Sequence, residues 1–188
     1  MDQTLNRIFT DARTCRVWQK KPVDKTLIQQ IYDLAKLGPS HANCCPLRIV
    51  FVESAAAKEK LKSALDPTNI DKTMTAPITA IMAYDPNFHQ YADMLYPGSK
   101  AWFQDQKAND YVGLVNAALQ AGYFMMAARA LGLDCGPMGG FNKQRVNDLF
   151  LKEPGFQSIF LCNLGYGDRT GMPPRGLRLT FEQVCTTV

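Results

Sequence analysis

The stretch from Asn109 to Phe141 limits the possible folds more than any other part of the chain. It opens polar at Asn109 and Asp110, then turns almost wholly apolar and small through Val112, Leu114, Val115, Ala117, Leu119, Ala121, Phe124, Ala127 and Ala128. A helix that is apolar nearly all round is a buried one, and its small residues let other backbones approach, within the chain or across a dimer. Its few polar residues are ordered: Asn116, Gln120 and Tyr123 fall on a single helical stripe. Gly132 stands where a helix C-cap glycine belongs. After it, Gly136-Pro137-Met138-Gly139-Gly140-Phe141 reads as a glycine-rich turn whose bare N–H groups can serve a ligand. A central buried helix feeding such a turn belongs in an α/β or α+β layered domain.

The chain has 188 residues and is 46% hydrophobic, enough for one domain spanning 1–188 with its own core. Residues 1–21 carry charges throughout and lack the apolar segment of a signal peptide. Asn116, Gln120 and Arg129 interrupt the most apolar run, which argues against a membrane span. The expectation is a soluble, cytoplasmic protein. The six cysteines (15, 44, 45, 135, 162 and 185) form no CxxC pair, so reduced thiols and no metal are expected. The net charge of +4 comes from scattered residues, a poor footprint for nucleic acid.

Along the chain, Thr4–Asp11 reads as a short helix. Asp24 caps an amphipathic one carrying Leu27, Ile28, Ile31, Leu34 and Ala35, which Gly38-Pro39 stops. A polar loop from Ser40 to Pro46 precedes a strand at Leu47–Val52. Ser54 caps a helix to about Leu65, Asp66–Thr75 is a polar connection, and Pro77–Tyr84 is a second strand. Residues 85–107 read as an excursion covering a site. Asn142 caps a short helix, Ser158–Leu164 is a strand, and the tail through Leu179-Thr180-Phe181 reads as an added strand or an arm across a partner.

Most catalytic schemes lack their residues. The only histidines are His41 and His89, so a nucleophile–base pair reduces to His41 beside Cys44, too close in sequence for that geometry. There is no HExxH, no Walker loop and no GxGxxG after a strand. Paired carboxylates occur only at ordinary surface spacing. An enzyme built this way leaves the hard step to a cofactor. What remains is a set of cationic and amide groups on separated loops: Arg13, Thr14 and Arg16; Ser40 and Asn43; Asn69 and Lys72; the Gly136–Gly140 backbone; and Arg175.

These segments, in this order, resemble the FMN-dependent nitroreductase family. Arg13-Thr14-Cys15-Arg16-Val17-Trp18 is similar to its RSxRxF-type opening, and Pro39-Ser40-His41-Ala42-Asn43-Cys44-Cys45-Pro46 to its PSxxNxQP loop. Asn69 to Lys72, Pro137 to Phe141 and Arg175 match further motifs. Within the family the strings are most similar to the short branch assigned to malonic semialdehyde reduction in pyrimidine catabolism.

The resemblance implies an α+β nitroreductase-like fold: a mixed sheet flanked by helices, a central buried helix, and a C-terminal arm exchanged with a partner subunit. It implies an NAD(P)H oxidoreductase that works ping-pong through flavin N5. No side chain is expected to be catalytic in itself. Arg13, Thr14 and Arg175 would hold the FMN phosphate, Arg16 and Lys72 would face the pyrimidine edge, and the Gly139–Gly140 backbone would donate to N5. Cys15, Asn69, Pro137 and Met138 complete the cofactor contacts, and Pro39, Ser40 and Asn43 come from the other subunit of a homodimer. His41, Trp102 and Phe103 are expected at the substrate pocket. The acceptor is a small molecule (an aldehyde such as malonic semialdehyde, a nitroaromatic, a quinone or an enone), and NADH and NADPH stay equally open. Three positions depart from the family pattern: Cys45 replaces Gln, Pro173 a Lys, and Gly139 an acidic residue. Two other readings are an FMN carrier or sensor without steady turnover, and a thiol redox protein using Cys44-Cys45.

Overall fold

The computed structural model describes residues 3–170 and 172–188. After the helical turns Gln3–Leu5 and Asn6–Thr10 come helix α1 (Lys25–Ala35), strand β1 (Leu47–Val52), helices α2 (Ala55–Lys62) and α3 (Ile70–Met74), and strand β2 (Ile78–Tyr84). The long helix α4 (Gln106–Ala130), strand β3 (Asp134–Met138), helix α5 (Lys143–Val146) and strand β4 (Gln157–Gly165) follow. Local chemistry sets the helix starts. The side chains of Asp24, Ser54, Asp105 and Asn142 each accept a hydrogen bond from a first-turn N–H.

The four strands form one sheet in the order β1-β2-β4-β3. Every pairing is antiparallel, which corrects the expected mixed sheet. β2 is central, and its alternate residues feed two cores. Ile78, Ala80 and Met82 pack with Ile31 of α1 and Ala121, Phe124 and Ala128 of α4. Ile81 and Ala83 pack on the opposite face with Leu61 of α2 and Val146 of α5. The result is an α+β sandwich of helix, sheet and helix.

The sequence reading needs four further corrections. Gly136-Pro137-Met138 is not a turn but most of β3; Pro137 is tolerated there because β3 is an edge strand. The polar connection 66–75 contains α3. The described residues of the tail form no strand. Its ordered piece is a helical turn, Phe181–Val184, started by a Thr180/Gln183 capping box. Finally, α4 is buried on one side only. Ala117, Ala121 and Phe124 are buried, while Tyr111, Leu114, Val115 and Leu119 stand 41–70% exposed.

Candidate active site

Two arginines meet on one short stretch of backbone. Arg13 Nη1 donates to the carbonyls of Thr10 (2.9 Å) and Ala12 (2.8 Å). Arg175, arriving from the tail, donates through Nη2 to Thr10 (3.0 Å), Ala12 (2.9 Å) and Phe9. The same carbonyls therefore hold both guanidiniums, and the other nitrogens of each fork have no partner among the described residues. Partial desolvation and the charges of Arg13, Arg178 and Arg129 push the Arg175 pKa below its ordinary value. Like charges gathered this way, with fork nitrogens to spare, suit a phosphate dianion. Thr14 is exposed beside them.

A second group lies where α3, the Cys15–Trp18 segment and the end of β3 meet. Cys15 N–H donates to the Cys135 carbonyl at 2.9 Å, which ties this segment along the outer edge of β3. An added Cβ on Gly136 would come within 2.6 Å of the Cys15 carbonyl, so the close approach requires glycine. Asn69 is 5% exposed and donates to the Gly140 carbonyl at 2.6 Å. The side chains of Lys72 and Arg16 have no hydrogen bond or ion pair among the described residues. Desolvation, followed by the Arg16 charge, lowers the Lys72 pKa. The N–H groups of Gly139 and Gly140 donate to no described residue, and an added Cβ on Gly139 meets nothing within 4 Å. Two unpaired cations thus lie on segments that adjoin a turn open at Gly139, while Asn69 and Asp66 crowd Gly140. That arrangement fits a flat ligand that gathers negative charge. Of the remaining expected contacts, Pro137 is half-buried and Met138 is buried, its sulfur accepting from Thr73 Oγ1 at 3.5 Å.

The loop from Pro39 to Cys45 forms a third group. Ala42, Asn43 and Cys45 all have positive φ, a strain of about 1 kcal/mol or more each that the surroundings must sustain. The polar stripe of α4 does so. Asn116 Oδ1 accepts from His41 N–H (2.7 Å), Gln120 Oε1 accepts from Leu47 N–H (3.0 Å), and Tyr123 donates to the Pro39 carbonyl (3.2 Å). Asn43 Nδ2 donates to the Leu95 carbonyl, and Ser40 Oγ accepts from Cys45 N–H. His41 meets Phe103 edge-on at 6.2 Å. Phe103 is buried against Phe88, whereas Trp102 is 60% exposed and meets Tyr96 at a tilt, 5.6 Å between ring centres. No hydrogen bond, ion pair or ring contact joins this loop to the first two groups among the described residues.

All six cysteines are free. Burial pushes the Cys15 and Cys44 thiols up to about 11, which keeps both protonated. A cavity of about 590 Å³ lies elsewhere, between α1 and β1. Tyr32, Phe51, Met94 and Phe124 line it, and it touches none of the expected cofactor residues. Arg129 belongs with the first group and was missed, since in sequence it only interrupts an apolar run. Its Nη1 donates to the Ile8 carbonyl, and its Nε is buried without a partner. The signal available was a cation in the last turn of a helix, five residues before the strand that carries Gly136.

The sequence pattern of the nitroreductase family matches residues 10–166. A Ralstonia nicotianae protein, provisionally named NADH dehydrogenase/NAD(P)H nitroreductase, is 47% identical over 96% of this chain and 94% of its own. Among solved structures, a provisionally named NAD(P)H:FMN oxidoreductase from Staphylococcus epidermidis superposes with a TM-score of 0.87 at 19% identity, covering 100% of this chain and 97% of that one. A provisionally named nitroreductase from Exiguobacterium sibiricum, solved in complex with FMN, gives 0.85 at 20% identity, covering 100% and 98%. At such identities the structural likeness is one of fold.

Proposed function

The chain belongs to the nitroreductase family and is an oxidoreductase of it; from that premise we propose that it works as a homodimeric, cytoplasmic, single-domain FMN enzyme passing electrons from NADH or NADPH to a small acceptor. The observation that carries this reading is the paired supply of unneutralised positive charge. Arg13 and Arg175 converge on one backbone stretch, and Arg16 and Lys72 face each other unpaired on segments that adjoin the Gly139–Gly140 turn.

Arg13 and Arg175, with Thr14, would hold the FMN phosphate. Arg16 and Lys72 would lie along the pyrimidine edge, and the free N–H groups of Gly139 and Gly140 would point to N5. When bound, FMN supplies the two-electron chemistry between nicotinamide and acceptor. The chain sets the field in which this happens: cations without counter-ions favour a negatively charged ring, and the Asn69–Gly140 bond fixes the turn. Nicotinamide and acceptor would use one open face in turn, a ping-pong scheme. Pro39, Ser40 and Asn43 would complete the site from the partner, with His41, Trp102 and Phe103 shaping the acceptor pocket. The bare face of α4 and the exposed Leu177, Leu179 and Phe181 of the tail support a dimer with exchanged arms. A small aldehyde such as malonic semialdehyde is the acceptor favoured by the motif strings, ahead of nitroaromatics, quinones and enones.

The purified protein is expected to show a two-band flavin spectrum that bleaches on anaerobic addition of NADH or NADPH. A flavin spectrum that neither nucleotide bleaches would replace the enzyme with a carrier. A colourless protein that FMN cannot reconstitute would overturn the reading altogether.

A further inference from the structure

Behind the candidate site, on the α2 side of the sheet, lies a buried lysine that pairs with no carboxylate among the described residues. Lys58 of α2 is 4% exposed, and its ammonium donates to the Thr73 carbonyl (2.9 Å) and to Thr79 Oγ1 (2.6 Å). The Thr79 hydroxyl must then donate onward, and it does so to Asn163 Oδ1 at 2.6 Å. That fixes the orientation of the Asn163 amide, whose Nδ2 donates to the Lys72 carbonyl (3.1 Å) and to Thr73 Oγ1 (3.3 Å). Trp18 Nε1 also donates to the Lys72 carbonyl, at 2.8 Å. The relay runs in one direction, and no member can turn without orphaning a buried group.

Its target is the C-terminal end of α3, a five-residue helix with few bonds of its own. The carbonyls that such a helix leaves unpaired at Lys72 and Thr73 are taken by Trp18, Asn163 and the Lys58 ammonium, a cation in the favourable place. Burial lowers the Lys58 pKa to about 8, so keeping the ammonium there is costly. An apolar residue would fill the space without that cost. The network also joins three segments that adjoin the Gly139–Gly140 turn: α3 with Lys72, the Arg16–Trp18 segment, and β3 through Thr73 and Met138.

We infer that Lys58 is a positioning residue of the flavin site: through Thr79 and Asn163 it fixes the end of α3 and so holds Lys72 in place beside Arg16. This rests on the reading above that Lys72 borders the flavin. Two cations placed side by side repel, and without a fixed helix end Lys72 would swing away from Arg16 into water.

The test uses FMN-reconstituted protein and two readouts, the FMN dissociation constant and the two-electron midpoint potential. Lys72→Met should weaken the reduced flavin relative to the oxidised by about tenfold, a potential lower by about 30 mV. Lys58→Met should reproduce at least about a threefold part of that change, and the double variant should lie no lower than Lys72→Met alone. A Lys58→Met protein with an unchanged potential overturns the inference, and so do additive effects, which would mean the two lysines act separately. An unchanged potential in Lys72→Met instead overturns the flavin-edge assignment and with it the premise. Should Lys58→Met not fold, Thr79→Val must lower the potential while Thr79→Ser keeps it; equal potentials in the two overturn the inference.

Discussion

At the end of α3 the carbonyls of Asp71, Lys72 and Thr73 each receive a donor, whereas in the tail from Pro173 to Val188 the apolar side chains stand exposed. Leu177 is 99% exposed, Leu179 69% and Phe181 70%. Among the described residues, Arg175 supplies the tail's side-chain hydrogen bonds to the rest of the chain, and Met172 N–H, just before it, adds one to the Arg169 carbonyl. The first region is complete within one chain: Trp18, Lys58, Asn69 and Asn163 brace it from the inside. The second is apolar and exposed, and it shares that condition with the outer face of α4. The contrast separates what a single chain preorganises, the cationic corner, from the apolar surface that the proposed dimer would cover.

The strongest way to break the complete region is Gly136→Ala. Its Cβ would meet the Cys15 carbonyl at 2.6 Å, a backbone atom that cannot rotate away. A loss of about 3 kcal/mol or more in urea unfolding is expected. Next comes a pH effect. The folded Lys58 pKa of about 8 lies below its ordinary 10.5, so between those values the unfolded chain binds more protons and stability rises with pH. Unfolding midpoints from pH 8 to 10.5 should rise in the wild type relative to Lys58→Met, by up to about 3 kcal/mol. A constant difference between the two proteins would show that burial does not perturb Lys58.

The incomplete region is tested by Leu114→Glu with Leu119→Glu. Sedimentation should show a dimer weakened by about a hundredfold, with the far-ultraviolet spectrum of the subunit retained. The smallest effect sharpens the comparison inside the site. Gly139→Ala adds a Cβ to open space, so stability should change by less than about 1 kcal/mol while FMN binds several-fold more weakly. If Gly139→Ala lost as much stability as Gly136→Ala, the two glycines would not differ in role.

The contrast also marks what the sequence disclosed. Capped helices and the β-branched strands β1, β2 and β4 were legible, because Asp24, Ser54, Asn142 and the apolar runs act locally. The stripe Asn116, Gln120 and Tyr123 was visible as a pattern, but its task of gripping a strained loop was not, since the partners lie some 75 residues away. β3 was hidden by Gly136 and Pro137, which read as a turn until the edge position explains them. α3 was hidden because its carbonyls are satisfied by Trp18, Lys58 and Asn163 from three distant segments. Lys58 looked like Lys60 and Lys62 beside it, although it lies three residues before Leu61 and seven before Leu65, on the apolar face. Arg13, Arg16, Lys72 and Arg175 were legible as scattered cations; that Arg13 and Arg175 share two carbonyls is a fact of the fold alone.

The measurement that tests the account most directly is titration of the apoprotein with FMN and, separately, with riboflavin, which lacks the phosphate. Charge-assisted bonds from two arginines contribute about 1.5–3 kcal/mol each, so FMN should bind at least about a hundredfold more tightly than riboflavin. That preference should collapse in a variant carrying both Arg13→Ala and Arg175→Ala. Equal affinity for the two ligands in the wild-type protein would contradict the assignment of this corner to a flavin phosphate.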